Sequence, residues 1–257
     1  MDYRILVVED EPGIAHAIGH ILGSMGHKAV LADSGQKAKE LMAQGAYELL
    51  MTDLKLPDAD GMEIARHFKD KFPQSQVTVL TGYPSLETAR EAIALGVYDY
   101  IAKPFELERF KEVIQRCLRA ISQEDDFKDK CVLLVEDDSA FMMILKSLCS
   151  LHRIPHVAVH GAEGALKCLE EKPAFDVVVS DVGLPGISGF ELCGKIKANP
   201  KTKKIPVILM TETPVSESLD NKAKKAGADL FISKPQDPYD FLHYVEKFLC
   251  QSASAGG

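Results

Sequence analysis

The sequence lacks several features that would place it in other protein classes. It has no apolar segment long enough to span a bilayer, and its amino terminus, MDYRILVVEDEP, is not the basic start of a secretory signal. Its six cysteines form no CxxC pair, which favours free buried thiols over disulfides or a zinc cluster. The net charge of −8 disfavours sequence-independent binding to nucleic acid. We therefore predict a cytoplasmic protein with no direct nucleic-acid contact and no membrane insertion.

What the sequence does contain is an internal duplication. YRILVVEDEP near the start returns as KCVLLVEDDS, and YDYIAKPF returns as DLFISKPQ. The spacing is nearly constant, since Asp10 to Asp137 is 127 residues and Lys103 to Lys234 is 131. A repeat of about 125 residues is too long for a solenoid, so each copy should have its own core. We predict a domain at 1–121, a linker at 122–129, a second domain at 130–250 and a disordered tail at 251–257.

Each copy alternates short apolar runs with helical stripes. In the first copy ILVV, LLMT, VTVL and YDYIA are typical of strands buried on both faces. Between them, Ile14, Ile18, Ile21, Leu22 and Met25 fall on one face of a helix. This alternation predicts an α/β fold, with two doubly wound five-stranded parallel (βα)5 sandwich domains in tandem.

The residues best suited to chemistry follow the predicted strands. They are Glu9, Asp10, Asp53, Thr81 and Lys103 in the first copy, and Glu136, Asp137, Asp181, Thr211 and Lys234 in the second. Strand ends of a parallel sheet meet at one edge, where ligands bind. Carboxylates about 4 Å apart repel by about 4 kcal/mol at an effective dielectric near 20, so the cluster needs a cation. Oxygen ligands without His or Cys favour Mg²⁺ or Mn²⁺, and the lysine and threonine add donors suited to a phosphoryl group.

Both copies resemble the receiver domains of bacterial response regulators, which have the fold of the chemotaxis response regulator. The resemblance covers residues 3–120 and 130–250. Its motifs in the first copy are LVVED, TDLKLPDADGMEI, LTGY and YIAKP. In the second copy they are LLVED, SDVGLPGISGFEL, LMTE and FISKP.

The resemblance implies a role for each matching residue. Asp53 and Asp181 would accept a phosphoryl group from a sensor histidine kinase or a phosphotransfer protein. Mg²⁺ would be held by the two phosphoacceptors, by Asp10 and Asp137, by Glu9 and Glu136 partly through water, and by the backbone carbonyls of Lys55 and Gly183. The phosphoryl oxygens would be contacted by Lys103 and Lys234, then by Thr81 and Thr211. The switch aromatics would be Tyr100 and Phe231, and the expected cis bonds are Lys103–Pro104 and Lys234–Pro235.

The two copies differ beside the phosphoryl pocket. Gly82 follows the threonine of the first copy, whereas Glu212 follows that of the second. A carboxylate beside an incoming dianion is unfavourable unless it points to solvent, so we expect Asp53 to be phosphorylated more readily than Asp181. The bulky Lys55 and Tyr83 suggest a longer-lived phosphoaspartate in the first domain.

Three functions compete at this stage. The resemblance favours a response regulator that is not an enzyme beyond its own phosphorylation and dephosphorylation, and that switches an interaction surface for an unknown protein target. The alternative is the regulatory tandem-receiver fragment of a larger output protein such as a diguanylate cyclase. A haloacid-dehalogenase-like hydrolase is disfavoured because Lys55 and Gly183 stand where its second aspartate belongs. The sequence leaves open an internal pseudo-dimer or a homodimer.

Overall fold

The computed structural model describes residues 2–82, 84–122, 127–171, 175–235 and 237–251. The chain divides into two compact units, Met1–Asp125 and Asp126–Gly257. Most of the predicted tail and part of the predicted linker, residues 252–257 and 123–126, lie outside the described residues, as does Tyr83.

The first unit alternates five strands with five helices. Its elements are β1 (Arg4–Val8), α1 (Pro12–Ser24), β2 (Lys28–Ala32), α2 (Gly35–Gln44), β3 (Leu49–Asp53), α3 (Gly61–Lys71), β4 (Gln76–Thr81), α4 (Leu86–Leu95), β5 (Asp99–Ala102) and α5 (Leu107–Ile121).

The second unit repeats the same order. Its elements are β6 (Val132–Val135), α6 (Ser139–Leu151), β7 (His156–Val159), α7 (Ala162–Glu171), β8 (Val177–Asp181), α8 (Gly189–Ala198), β9 (Val207–Thr211), α9 (Glu217–Ala226), β10 (Leu230–Ser233) and α10 (Tyr239–Gln251).

Each unit contains one five-stranded, fully parallel sheet. The strand order is β2-β1-β3-β4-β5 in the first and β7-β6-β8-β9-β10 in the second, which is the same topology. The predicted α/β fold is confirmed. Strand order reverses direction beside β1 and β6, which is where parallel sheets generally bind ligands, at the carboxyl ends of the strands next to β3 and β8.

The apolar pattern of the sequence explains these elements. Most of β1 and β3 has no exposed surface, as expected for strands covered by helices on both faces. Helix α1 begins with Pro12, which suits a first helical position, and it buries Ile18 and Leu22 of the predicted stripe. Ile14 and Ile21 are only half-buried, because they lie at the margin of that face.

Two glycines let a helix begin directly against the crevice. Gly61 opens α3, and a Cβ atom there would overlap the backbone carbonyl oxygen of Asp53. Gly189 opens α8, and a Cβ atom there would overlap the carbonyl oxygen of Asp181 in the same way. These close approaches fix the backbone immediately after β3 and β8.

Candidate functional site

Acidic residues converge at the carboxyl end of the first sheet. Glu9 follows β1 and is 1% exposed, Asp10 comes next and is exposed, and Asp53 is the last residue of β3. Each offers a carboxylate oxygen within 4.8 Å of the other two, an arrangement that could hold a metal ion. The predicted cluster is therefore brought together by the ends of two adjacent strands.

Lys103 neutralises part of this cluster. It follows β5, and its Nζ donates hydrogen bonds to Glu9 Oε2 and Asp53 Oδ2, both at 2.5 Å. Burial raises the pKa of Glu9 above its ordinary value of 4.5, and Lys103 offsets this only in part. Burial alone would lower the pKa of Lys103, but hydrogen bonds and charge attraction from Asp53 and Glu9 together outweigh burial and raise that pKa above 10.5. The two directions have different causes, because burial dominates for Glu9, whereas the combined effect of two nearby carboxylates dominates for Lys103.

The second unit builds a comparable cluster. Carboxylate oxygens of Glu136, Asp137 and Asp181 lie within 4.8 Å of one another. Lys234 Nζ lies 2.9 Å from Glu136 Oε1 and 3.4 Å from Asp181 Oδ1. Glu136 Oε2 and Asp181 Oδ1 are buried and make no hydrogen bond within the part of the chain described. Burial raises the pKa of Glu136, with Lys234 opposing this shift.

The loops after β3 and β8 are tied back to the terminal aspartate. The backbone N–H of Lys55 donates to Asp53 Oδ1 at 3.0 Å, and that of Gly183 donates to Asp181 Oδ2 at 2.8 Å. These bonds place residues 55 and 183 beside the carboxylates, where the family resemblance expects their carbonyls to contribute. The side chain of Lys55 is exposed.

The threonines end the neighbouring strands and are linked to the lysines through the backbone. Thr81 ends β4 and Thr211 ends β9, and both are buried. The N–H of Lys103 donates to the Thr81 carbonyl at 2.6 Å, and the N–H of Lys234 donates to the Thr211 carbonyl at 2.6 Å. The Thr211 hydroxyl also shares a 3.0 Å hydrogen bond with the hydroxyl of Thr213.

The two predicted switch aromatics differ in their surroundings. Tyr100 on β5 is 2% exposed, and its hydroxyl shares a 2.8 Å hydrogen bond with the hydroxyl of Thr88 on α4. Phe231 on β10 is half-buried and packs against Phe190 with ring centroids 5.8 Å apart. Their role as switches stays a prediction.

The two lysine–proline bonds also differ. Lys103–Pro104 is cis, as expected, but the described residues contain no second cis bond, so the expectation for Lys234–Pro235 is wrong. Cis and trans isomers before proline lie close in energy, so the surrounding packing and not the dipeptide selects between them.

Two polar interactions of the first domain were not predicted from the sequence. Asp58 accepts hydrogen bonds from the N–H groups of Gly35 and Gln36, both at 2.8 Å, and thereby ties the β3–α3 loop to the start of α2. The bond from Gln36, followed by that from Gly35, lowers the pKa of Asp58. Buried Asp99 and Arg116 form an ion pair of 3.1 Å between β5 and α5.

Comparison with known proteins identifies the class. The model of the response regulator receiver domain matches the chain twice, at residues 5–115 and 132–246. The chain therefore belongs to the response regulator receiver domain family of two-component systems, with two receiver domains in tandem.

Particular relatives match in different ways. The response regulator protein PilR of Pseudomonas aeruginosa is 34% identical over 121 residues, which is 47% of this chain and 27% of PilR. Sporulation initiation phosphotransferase F of Bacillus subtilis is 27% identical over 118 residues, which is 46% of this chain and 95% of that protein. The chain thus spans only about a quarter of PilR.

One solved structure matches nearly the whole chain. It is described as a two-component system response regulator/GGDEF domain protein and is 22% identical, with a TM-score of 0.58 over 96% of this chain and 98% of its own. This likeness shows the fold. In the residues that the structure describes, no helix is both long and apolar enough to cross a membrane.

Proposed function

We propose that the chain is a phosphoacceptor response regulator in which Asp53, and more slowly Asp181, takes a phosphoryl group. The observation that carries the proposal is the 2.5 Å contact of Lys103 Nζ with both Asp53 Oδ2 and Glu9 Oε2 inside a carboxylate cluster. This contact supports the proposal because it sets an ammonium group beside the carboxylate that would act as the nucleophile, where a phosphoryl group would bring further negative charge. Phosphoryl transfer depends mainly on such positioning and charge neutralisation.

The residues fit a hard divalent cation. The ligand set is made of oxygens alone, which suits Mg²⁺ or Mn²⁺. Among the described residues, buried Glu136 Oε2 has no hydrogen-bond partner, and buried Asp181 Oδ1 has only the 3.4 Å ion contact with Lys234, so both oxygens could bind a cation. We propose that the cation is held by Glu9, Asp10, Asp53 and the Lys55 carbonyl in the first domain, and by Glu136, Asp137, Asp181 and the Gly183 carbonyl in the second. When bound, it supplies charge neutralisation for phosphoryl oxygens.

The proposed donor is a phosphohistidine of a sensor histidine kinase or a phosphotransfer protein. An Asp53 oxygen bonds to phosphorus as the phosphorus–nitrogen bond breaks, and the imidazole keeps the electron pair. Lys103 and Lys234 then hold phosphoryl oxygens in their respective domains. Thr81 and Thr211 donate hydrogen bonds to the same group, and Tyr100 and Phe231 respond as switches toward an unidentified protein target.

The finer organisation is proposed on the same basis. We place the domains at 1–121 and 130–250, joined by a linker at 122–129 and followed by a tail at 251–257, in a cytoplasmic protein. Its chemistry is limited to its own phosphorylation and dephosphorylation. Pairing of the two receivers as a pseudo-dimer and self-association as a homodimer are separate proposals that sedimentation of the full chain would distinguish.

The test is phosphorylation with acetyl phosphate and Mg²⁺, read by intact-protein mass spectrometry. The parent should gain one or two phosphoryl groups. Asp53→Ala and Asp181→Ala should each lose one acceptor, and the double variant should gain none. Labelling that survives in the double variant would place the acceptor elsewhere and reject the proposal.

A second candidate is the regulatory part of a longer output protein. PilR is much longer than its match to this chain, and the solved structure with the same two-receiver fold is described as a response regulator/GGDEF domain protein. Sequencing the natural reading frame past Gly257 tests this candidate. A cyclase-encoding continuation would support it, and a stop codon there would reject it.

A further inference from the structure

The two phosphoacceptor sites differ in what surrounds the lysine. Lys103 contacts Glu9 and Asp53, both at 2.5 Å. Lys234 is shared among three carboxylates, because Glu212 Oε1 lies 3.4 Å from its Nζ in addition to Glu136 and Asp181. The distance from Lys234 Nζ to Asp181 is also 3.4 Å, so the ammonium group is held as close to Glu212 as to the phosphoacceptor.

In the first domain the residue that corresponds to Glu212 has no side chain. Gly82 stands there, and a Cβ atom added to it would meet no heavy atom within 4 Å. The residue after Thr81 therefore brings no side chain and no charge to the first site. In the second domain the corresponding place carries a carboxylate whose side chain is 75% exposed yet still reaches the lysine.

We propose that Glu212 is a built-in anionic competitor for Lys234, which slows phosphorylation of Asp181 and makes the second receiver the slow acceptor of the pair. This inference rests on the proposed function, because it concerns the rate at which the same site accepts phosphoryl. It assigns the asymmetry between the domains to one charged side chain.

The competition matters during the transfer step itself. With acetyl phosphate, an Asp181 oxygen bonds to phosphorus as the phosphorus–oxygen bond to acetate breaks, and acetate leaves with the electron pair. The phosphoryl oxygens need the ammonium group of Lys234 at that moment. Because the Glu212 side chain is mostly exposed, solvent and salt weaken its attraction for Lys234, so the expected effect on the rate is about threefold.

The decisive experiment compares charge, size and location in an Asp53→Ala background, where only Asp181 is observed. Glu212→Gln removes the charge and keeps the shape, and Glu212→Gly reproduces the first domain. Glu217→Gln is the matched control, because it removes an exposed carboxylate from the start of α9 that makes no ion pair with Lys234. The readout is the initial rate of mass gain from acetyl phosphate with Mg²⁺.

Both Glu212 variants should be phosphorylated about threefold faster than the parent, a difference equivalent to about 0.6 kcal/mol in the barrier. The advantage should shrink at high salt, and Glu217→Gln should match the parent. Acceleration by Glu212→Gly alone would indicate steric hindrance and overturn the proposal, as would unchanged rates in both Glu212 variants.

A reciprocal variant tests the same mechanism in the first domain. Gly82→Glu in an Asp181→Ala background should slow labelling of Asp53 by a similar factor, since an added Cβ atom there meets nothing within 4 Å and the position corresponds to Glu212. An unchanged rate there would contradict a charge-based mechanism. Labelling of Asp53 without any effect at residue 212 would reject this inference alone, whereas absence of labelling in both domains would reject the proposed function.

Discussion

When no divalent cation is added, replacing Lys103 with methionine should destabilise the first domain. The variant leaves Glu9, whose side chain has no exposed surface, without its ammonium partner, whereas Asp53 retains 13% exposure. A buried carboxylate without a partner escapes its penalty by taking a proton. From its ordinary pKa of 4.5 to pH 7 this protonation costs about 3.4 kcal/mol, at about 1.36 kcal/mol per pH unit. That value is an upper limit, because burial already raises the pKa of Glu9 in the parent, so we expect a loss of about 2–3 kcal/mol.

The pH dependence follows from the same raised pKa. A folded-state pKa above the unfolded value means that stability linked to Glu9 is fully present below pH 4.5 and is lost as pH rises through the folded pKa. Without Lys103 that pKa rises further, so the variant loses more stability than the parent between pH 4.5 and 7. The difference between the two proteins should therefore shrink on acidification toward pH 4.5.

Urea unfolding followed by circular dichroism gives the free energies, and hydrogen exchange of peptides from residues 2–82 assigns the loss to the first domain. Lys37→Met is the control, because Lys37 pairs with Glu40 at 3.5 Å on the surface and its loss should cost about 0.5 kcal/mol or less. A Lys103→Met deficit that stays the same from pH 4.5 to 7 would refute the electrostatic reasoning and indicate lost packing instead.

Two further predictions concern packing. Gly61→Ala should destabilise the first domain by several kcal/mol, because the new methyl group overlaps the backbone of Asp53. Gly13→Ala, whose methyl group meets nothing within 4 Å, should stabilise the domain by about 0.5 kcal/mol. The midpoints of urea unfolding check both predictions. In native protein a thiol reagent at neutral pH should modify exposed Cys250 and spare Cys117, because burial raises the pKa of Cys117 to about 12. Rapid modification of Cys117 before unfolding would contradict its assigned environment.

Much of the fold could be predicted because two strong signals agree. Apolar strand-length runs alternating with helical stripes require a parallel sheet, and a parallel sheet brings its carboxyl ends to one edge. The convergence of Glu9, Asp53 and Lys103, which are up to 94 residues apart in sequence, follows from that topology. No local motif carries this information.

The polar contacts that depend on loop shape could not be predicted. In PDADG, Asp58 bonds to the start of α2 and Asp60 caps α3 through the N–H of Met62, yet the two residues have the same chemistry in sequence. Arg116 was also unpredictable, because arginine on an amphipathic helix is usually exposed, and here its burial depends on Asp99 across the core. From the sequence, the Glu212 side chain could point either to solvent or into the pocket. In the structure it is 75% exposed and still lies 3.4 Å from Lys234 Nζ.

A backbone hydrogen bond links the N–H of Lys103 to the carbonyl of Thr81, and Lys234 and Thr211 are linked in the same way. The backbone of each threonine is therefore coupled directly to that of its lysine. If the loop at the end of β4 moves, it must either move the backbone of Lys103 with it or break this 2.6 Å hydrogen bond. Tyr100 lies three residues before that lysine on β5, with its hydroxyl anchored to α4. A displacement at the end of β4 can therefore be transmitted through the short segment from Lys103 to Tyr100, and through the Tyr100 hydroxyl to α4.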